Sequence, residues 1–341
     1  MILLALVAAI TLLASLLLPF AVKPLLVRMG VVDVPSARSS HVKVTIRGMG
    51  AATALATVIG YGAAVLLGFV TVDRSVSAAV LGVIAACAVV GWIEDLRGLS
   101  IRGRAAAQLG IGAVGTAVLI ILTGQSFWWL PLGALAIAAY VNIANFMDGV
   151  NGISGLHGVT AGAAYAVAGM LSEQPWLTAG GVVLAMSFLG FLPWNLGRGS
   201  VFLGDVGSYL LGASIAALAV AGFLGGVYVE YVLSPILVYA ADTGYTLLRR
   251  IKAGERWYAS HREHVYQRLT DVGFSHLQSA AAVTVCTLAV IILGFIAATA
   301  ELPVVALCVA GSMLVLALYL ASPDLIRRYR RRSRVTRLPV A

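Results

Sequence analysis

The chain has 341 residues, 60% apolar and only 11% charged, with a mean hydropathy of +0.97. Soluble domains carry about a quarter charged residues, so a soluble enzyme is excluded and an all-α integral membrane protein is expected. The formal net charge of +9 reads as a membrane-orientation signal, because the basic residues collect in loops of one parity.

A helical crossing needs about 20 apolar residues. Apolar runs fall at roughly 1–22, 49–70, 76–93, 106–123, 130–147, 156–172, 177–193, 206–224, 228–248, 278–299 and 302–321, predicting eleven transmembrane helices in one polytopic domain, residues 1–321. The first run lacks a basic leader and is too long for a signal-peptide core, so it reads as a retained span. Gly82, Gly110 and Gly115 do not count against helices, since membrane helices use glycine for close packing.

With the N-terminus outside, all of the 23 Lys and Arg residues except Arg74 lie on inward segments, which also puts the C-terminus in the cytoplasm. The tail, residues 322–341, contains "RRYRRRSR" and fits anionic membrane lipid better than nucleic acid. Cys87, Cys286 and Cys308 sit in apolar runs without ligand spacing and read as small buried hydrophobes. The outward loops are short and bland, and Trp128, Trp129 and Trp176 fit an interfacial aromatic belt.

The inward loops hold the unusual polar residues. The first reads "VVDVPSARSSHVKVTIRGMG", with Asp33, Arg38, Ser39, Ser40, His41, Lys43 and Arg47 close together. The second, "GWIEDLRGLS", ends an apolar run in Glu94 and Asp95 and continues into Arg97, Arg102 and Arg104. The third, "VNIANFMDGVNGISG", repeats Asn142, Asn145, Asp148 and Asn151 at a spacing of three, which on a helix gives a slowly turning polar face. Polar groups at a membrane boundary are costly unless partnered; the bland alternative is helix capping ahead of the glycines.

In the fourth, "FLPWNLGRGSVFLGDVGSYLLG", Asp205 opens a helix, where backbone NH groups favour phosphate and a carboxylate suits Mg²⁺; an ordinary cap is the alternative. The fifth, "LRRIKAGERWYASHREHVYQRL", carries His261, Arg262, Glu263, His264 and Arg268. Without a third ligand close by, anion binding fits it better than zinc, and a charged surface loop is the alternative. Acidic groups for a divalent cation and basic groups for a diphosphate on one membrane face are what phosphoryl transfer requires.

These stretches resemble the polyprenyl-phosphate N-acetylhexosamine-1-phosphate transferase family, in order and spacing, from about residue 30 to residue 270. "DVPSARSSHVKVTIRGMG", "NIANFMDGVNG", "VFLGDVGS" and "SHREHVYQRL" are similar to its successive cytoplasmic motifs, and "EDLRGLS" occupies its Asp-Asp motif. Glu94 departs from that motif. So do Val44 and Ile46, which replace prolines, and Met49, which replaces a glycine; Tyr266 and Gln267 favour the O-antigen-initiating branch over the peptidoglycan one.

The resemblance implies transfer of N-acetylhexosamine-1-phosphate from a UDP-sugar to undecaprenyl phosphate at the cytoplasmic face of the bacterial inner membrane, with release of UMP. It also implies Mg²⁺, or Mn²⁺, bound by Asp205 and Asn145 with support from Asp148. Asn151, Asn195 and Phe202 would line the uridine pocket, with Lys43 and Arg268 as further substrate-binding residues. His261, Arg262 and His264 would contact the diphosphate or sugar, and Asp95 with Glu94 would orient or deprotonate the lipid phosphate. Asp242 reads as support for the basic loop, with a helix-dipole or packing role as the alternative.

Direct attack on the β-phosphate is favoured over a covalent aspartyl-phosphate, because a metal-held Asp205 is a poor nucleophile; the covalent route stays open. A flippase is disfavoured because the carboxylates cluster at inner helix ends rather than along a path at mid-membrane. An inactive scaffold is motivated only by Glu94. Small residues on several helices would allow a homodimer.

Overall fold

The computed structural model describes residues 1–33, 44–197, 201–255 and 261–335, the last five as backbone only. Lys43 lies outside the described residues, as do Arg38, Ser39, Ser40 and His41 of the same loop.

Among the described residues the chain is helical apart from one two-stranded ribbon. In order it comprises α1 (Ile2–Arg28), β1 (Val32–Asp33), β2 (Thr45–Ile46), α2 (Gly50–Leu66), α3 (Arg74–Arg97), α4 (Ile101–Thr123) and α5 (Leu130–Met147). Then follow α6 (Ile153–Leu171), α7 (Pro175–Leu196), α8 (Gly204–Leu224), α9 (Val229–Leu233), α10 (Leu237–Lys252), α11 (Val265–Asp271), α12 (His276–Ala297) and α13 (Leu302–Val335). β1 and β2 pair antiparallel, with Val32 opposite Ile46 and Asp33 opposite Thr45.

Every predicted apolar run is helical, and eight helices among the described residues are long and apolar enough to cross a membrane. The chain is therefore a multi-pass, all-α membrane protein. Three runs depart from a plain crossing. α2 has 17 residues. α6 carries His157 and several small residues and falls short in apolarity. The run at 228–248 is broken: α9 ends in a 3-10 turn at Ser234–Ile236, where Pro235 supplies no NH, before α10 begins. Beyond the membrane run, α13 continues as helix through the basic segment, so residues 322–335 extend the last span.

α8 is the central element, buried along almost its whole length and packed against α3 and α5. Small residues permit this closeness. A Cβ at Gly91 of α3 would strike the backbone of Asp205, and one at Gly212 of α8 would strike that of Val141 in α5. Trp128 is exposed as an interfacial residue should be, but Trp176 is buried, lying against Gly225 and donating to Gln174 (2.8 Å). Its expected place in an aromatic belt is not observed, because the turn after α8 folds over it. Cys87 and Cys308 are buried and Cys286 is half-buried, all three as free thiols.

Candidate active site

The site begins with a helix start that needs help. The first NH groups of a helix have no partner within it, and at α8 they are met from another helix. Asp95, in the last turn of α3, accepts from the backbone NH of Asp205 (3.0 Å) and of Val206 (2.9 Å). Its side chain is fully buried. Gly204 makes this approach feasible: its φ is +76°, and a Cβ there would meet the Asp95 carboxylate and the backbone of Gly48.

Asp205 is thereby held at the cytoplasm-facing end predicted for α8, among side chains from three other segments. Its Oδ1 accepts from Asn145 Nδ2 (2.6 Å), in the last turn of α5, and the same amide donates to Ser208 (3.0 Å). Its Oδ2 accepts from Arg47 (2.5 Å), whose Nε lies 2.7 Å from Asp95 Oδ1. Arg47 stands between β2 and α2, where the chain is fixed by a second strand-like pairing. Phe202 donates to the Ile46 carbonyl (2.8 Å), and Met49 and Gly50 donate to the carbonyls of Phe202 and Leu203.

Asp148 caps the end of α5 and accepts from Ser154 (2.6 Å). Burial pushes its carboxyl up to about 6, against the Ser154 hydrogen bond, with Asp205 adding to the rise. The regular polar spacing from 142 to 151 is not one helical face, because α5 stops at Met147. Asn142 turns to Gln108 of α4 (2.5 Å), Asn145 to Asp205, and Asn151 lies half-buried in the turn before α6. Asn195, buried in α7, spends its amide on backbone, accepting from Gly152 (2.5 Å) and donating to Val201 (2.9 Å). It braces the turn that presents Asn151 against the segment that presents Phe202.

A second buried carboxylate builds the basic loop. Asp242 of α10 is 0% exposed and accepts from the backbone NH of Val265 (3.0 Å) and Tyr266 (3.3 Å), the start of α11. It also meets His264 Nδ1 (3.1 Å), Thr246 (3.3 Å) and the Tyr319 hydroxyl of α13 (2.6 Å). The His264 ring faces Phe146 with centroids 6.3 Å apart, and Tyr266 donates to the Phe146 carbonyl (3.0 Å), which brings the loop beside the end of α5. His261 lies against His264 (4.9 Å between centroids); burial, then His264 and Arg250, lower its pKa to about 4. Glu263 joins Arg249 (2.6 Å) and Arg250 (2.5 Å).

The sequence-predicted residues thus fall into two groups. Asp205, Asn145, Asp95 and Asp148 gather with Phe202 nearby, and His261 and His264 approach them across α5. Glu94 turns away, accepting from Leu99 NH (2.6 Å) and pairing with Arg104 (3.1 Å). Arg268 turns to Asp324 of α13 (2.7 Å), and Arg262 to Thr270 (3.2 Å) and Asp271 (3.5 Å). Arg47 was visible only as one more basic loop residue; its signal was the small-residue stretch "RGMG" beside it, which lets the loop reach α8.

Among the described residues no three His, Cys, Asp or Glu side chains form a ready-made metal cage. Asp205 with Asn145, and Asp148 near, instead make a sparse, hard-oxygen donor set. That fits Mg²⁺, which keeps waters and shares one or two carboxylates with substrate phosphates.

A glycosyl transferase family 4 model matches residues 77–223, from α3 through α8. A probable undecaprenyl-phosphate N-acetylglucosaminyl 1-phosphate transferase of Bacillus subtilis is 29% identical over 84% of this chain and 81% of its own length. A decaprenyl-phosphate N-acetylglucosaminephosphotransferase of Mycolicibacterium smegmatis is 30% identical over 75% of this chain and 72% of its own. A phospho-N-acetylmuramoyl-pentapeptide-transferase of Moorella thermoacetica is 36% identical over a shorter stretch, 39% of this chain and 45% of its own.

Proposed function

Because the chain belongs to the polyprenyl-phosphate N-acetylhexosamine-1-phosphate transferase family, we propose that it transfers an N-acetylhexosamine-1-phosphate from its UDP carrier to undecaprenyl phosphate. A phosphate oxygen of the lipid forms a bond to the β-phosphorus of the UDP-sugar. The bond from that phosphorus to the bridging oxygen breaks, and UMP leaves with the electron pair. The observation that carries the reading is the convergence, at the end of α5, of the Asp205–Asn145 pair with the His264 loop. On this reading the pair would serve the cation and the loop the anion, side by side as a diphosphate needs.

In this reading Asp205 and Asn145 hold Mg²⁺, Asn145 turning its carbonyl oxygen inward, and Asp148 adds charge. The bound cation would neutralise charge on the leaving UMP. Asp242 orients the His264 ring through Nδ1, leaving Nε2 to face the diphosphate beside His261 and to donate to it when the ring carries both protons. Phe202 and Asn151 flank the uridine, and Asn195 keeps their two segments in register. Asp95 acts by holding α8, and so Asp205, in place. Glu94 and Arg104 stand at the acceptor end, at the cytoplasmic face of a bacterial membrane. N-acetylglucosamine is the first sugar to test, since the relatives matching most of the chain are named for it.

The test is UMP release by purified protein in detergent, with undecaprenyl phosphate, a panel of UDP-sugars, and Mg²⁺ or EDTA. UMP formed only when lipid, Mg²⁺ and one UDP-N-acetylhexosamine are all present is the expected result. UMP formed without lipid, or none with any donor from folded protein, would refute the proposal.

A further inference from the structure

The two carboxylates that face each other at the start of α8 differ in how firmly they are held. Asp95 is bound by two backbone NH groups, so it cannot move unless the first turn of α8 unwinds. Among the described residues, Asp205 is held through its carboxylate by two side chains, Asn145 and Arg47. Arg47 straddles both acids, with Nε on Asp95 and a terminal nitrogen on Asp205. Its side chain is 36% exposed, against 0% for Asp95 and 10% for Asp205, so the guanidinium covers the acids from the side open to solvent. Asp33 adds to the negative field around Arg47, and Asp148 feels Arg47, Asp205 and Asp95 together. Arg47 therefore lies in the field of carboxylates from α3, α8, the end of α5 and the first loop together.

We propose that Arg47 is the resident counter-cation of Asp205, exchanges with the divalent cation there, and then serves as a positioning residue that donates to the incoming diphosphate. The inference rests on the Mg²⁺ assignment made above. Guanidinium and a divalent cation compete for Asp205 Oδ2: the Arg47 N–H occupies one of that oxygen's two lone-pair directions at 2.5 Å, and a second positive charge so close is repelled. On displacement the planar guanidinium turns as one unit, giving up Asp205 while its charge stays paired beside Asp95, and its donors then lie near the cation where phosphate oxygens collect. Before loading, the same contact spares Asp205 the cost of an unpaired, nearly buried charge.

The exchange predicts effects of opposite sign. In full-length protein in detergent, Arg47→Gln should bind Mn²⁺ about tenfold more tightly by electron paramagnetic resonance titration, because the competitor is gone. The Mn²⁺-loaded variant should bind UDP about tenfold more weakly by calorimetry, because a donor is gone; each change corresponds to about 1.4 kcal/mol. Arg47→Lys keeps the charge without the fork and should shift both constants in the same directions by less. It decides the question if Arg47→Gln fails to give a cooperative thermal melt. A purely structural Arg47 would weaken both ligands together. Unchanged or weaker Mn²⁺ binding in the Arg47 variants, with binding still abolished by Asp205→Asn, overturns the exchange alone. Mn²⁺ binding that survives Asp205→Asn, or is absent from the parent protein, overturns the metal assignment and the exchange with it.

Discussion

The two halves of the candidate site, the Asp205 cluster proposed as a cation half and the His264 loop proposed as an anion half, are built by one device used twice. In each, a buried aspartate from one helix caps the start of another: Asp95 of α3 holds α8, and Asp242 of α10 holds α11. What differs is how each carboxylate is compensated. Asp95 sits beside Arg47, with Asp205 and Asp148 in range, so its charge belongs to an electrostatic cluster open to exchange. Asp242 is answered by five hydrogen bonds, from two backbone NH groups, His264, Thr246 and Tyr319, with no guanidinium among them. The first arrangement leaves Asp205 able to change partners; the second fixes His264 in one pose.

The sharpest way to break the comparison is at the exchangeable acid. Asp205→Asn should lower UMP release by at least about 10³-fold with folding retained, since metal-borne charge stabilisation is worth several kcal/mol; near-normal turnover would remove Asp205 from the chemistry. At the fixed acid, Asp242→Asn puts an amide where backbone NH groups need an acceptor. It should cost about 3 kcal/mol of stability, read as a lower Tm, and about 10²-fold in kcat/KM for the UDP-sugar.

Asp148 tests whether the cation half is truly a charge cluster. Its carboxyl is raised to about 6 from an ordinary value near 4, so between those pH values the folded protein keeps a proton that the unfolded chain has released. In EDTA its contribution to stability is present at low pH and is lost as pH rises through that window. Asp148→Asn should flatten the pH dependence of Tm between about 4 and 6, and an unchanged slope would remove Asp148 from the cluster. Tyr319→Phe deletes one of five bonds to Asp242 and should cost only about 1 kcal/mol by thermal melting. Glu94→Asp, at a partly exposed ion pair with Arg104, should change KM for the lipid by less than about fivefold.

Much of the fold was legible in the sequence, for a physical reason: an apolar run of membrane length is a local signal, and eight of the eleven runs are helices long and apolar enough to cross. The break at Ser234–Ile236 was not read, although Pro235 marks it, because the apolar run continues through it. Asp205 and Asn145 were legible because each lies in a compact motif at a helix end. The partners of Arg47 were not, since Asp205 is 158 residues away and the contact depends on how α8 packs between α3 and α5. For the same reason the sequence did not show that Asn195 spans Gly152 and Val201, or that Arg268 pairs with Asp324 of α13.

The reach of α13 into the basic loop carries a consequence for biosynthesis. Tyr319 binds Asp242 and Asp324 binds Arg268, so the loop between α10 and α12 is fastened by a helix translated after it. Chains emerge and insert from the N-terminus onward, and the residues that surround Asp205 are all present once α8 is in the bilayer. The basic loop gains its last two fastenings, Tyr319 and Asp324, only with the last crossing. A nascent chain stalled before that point would hold both buried aspartates and His264 in place, with Arg268 still lacking its Asp324 partner and Asp242 its Tyr319 hydroxyl.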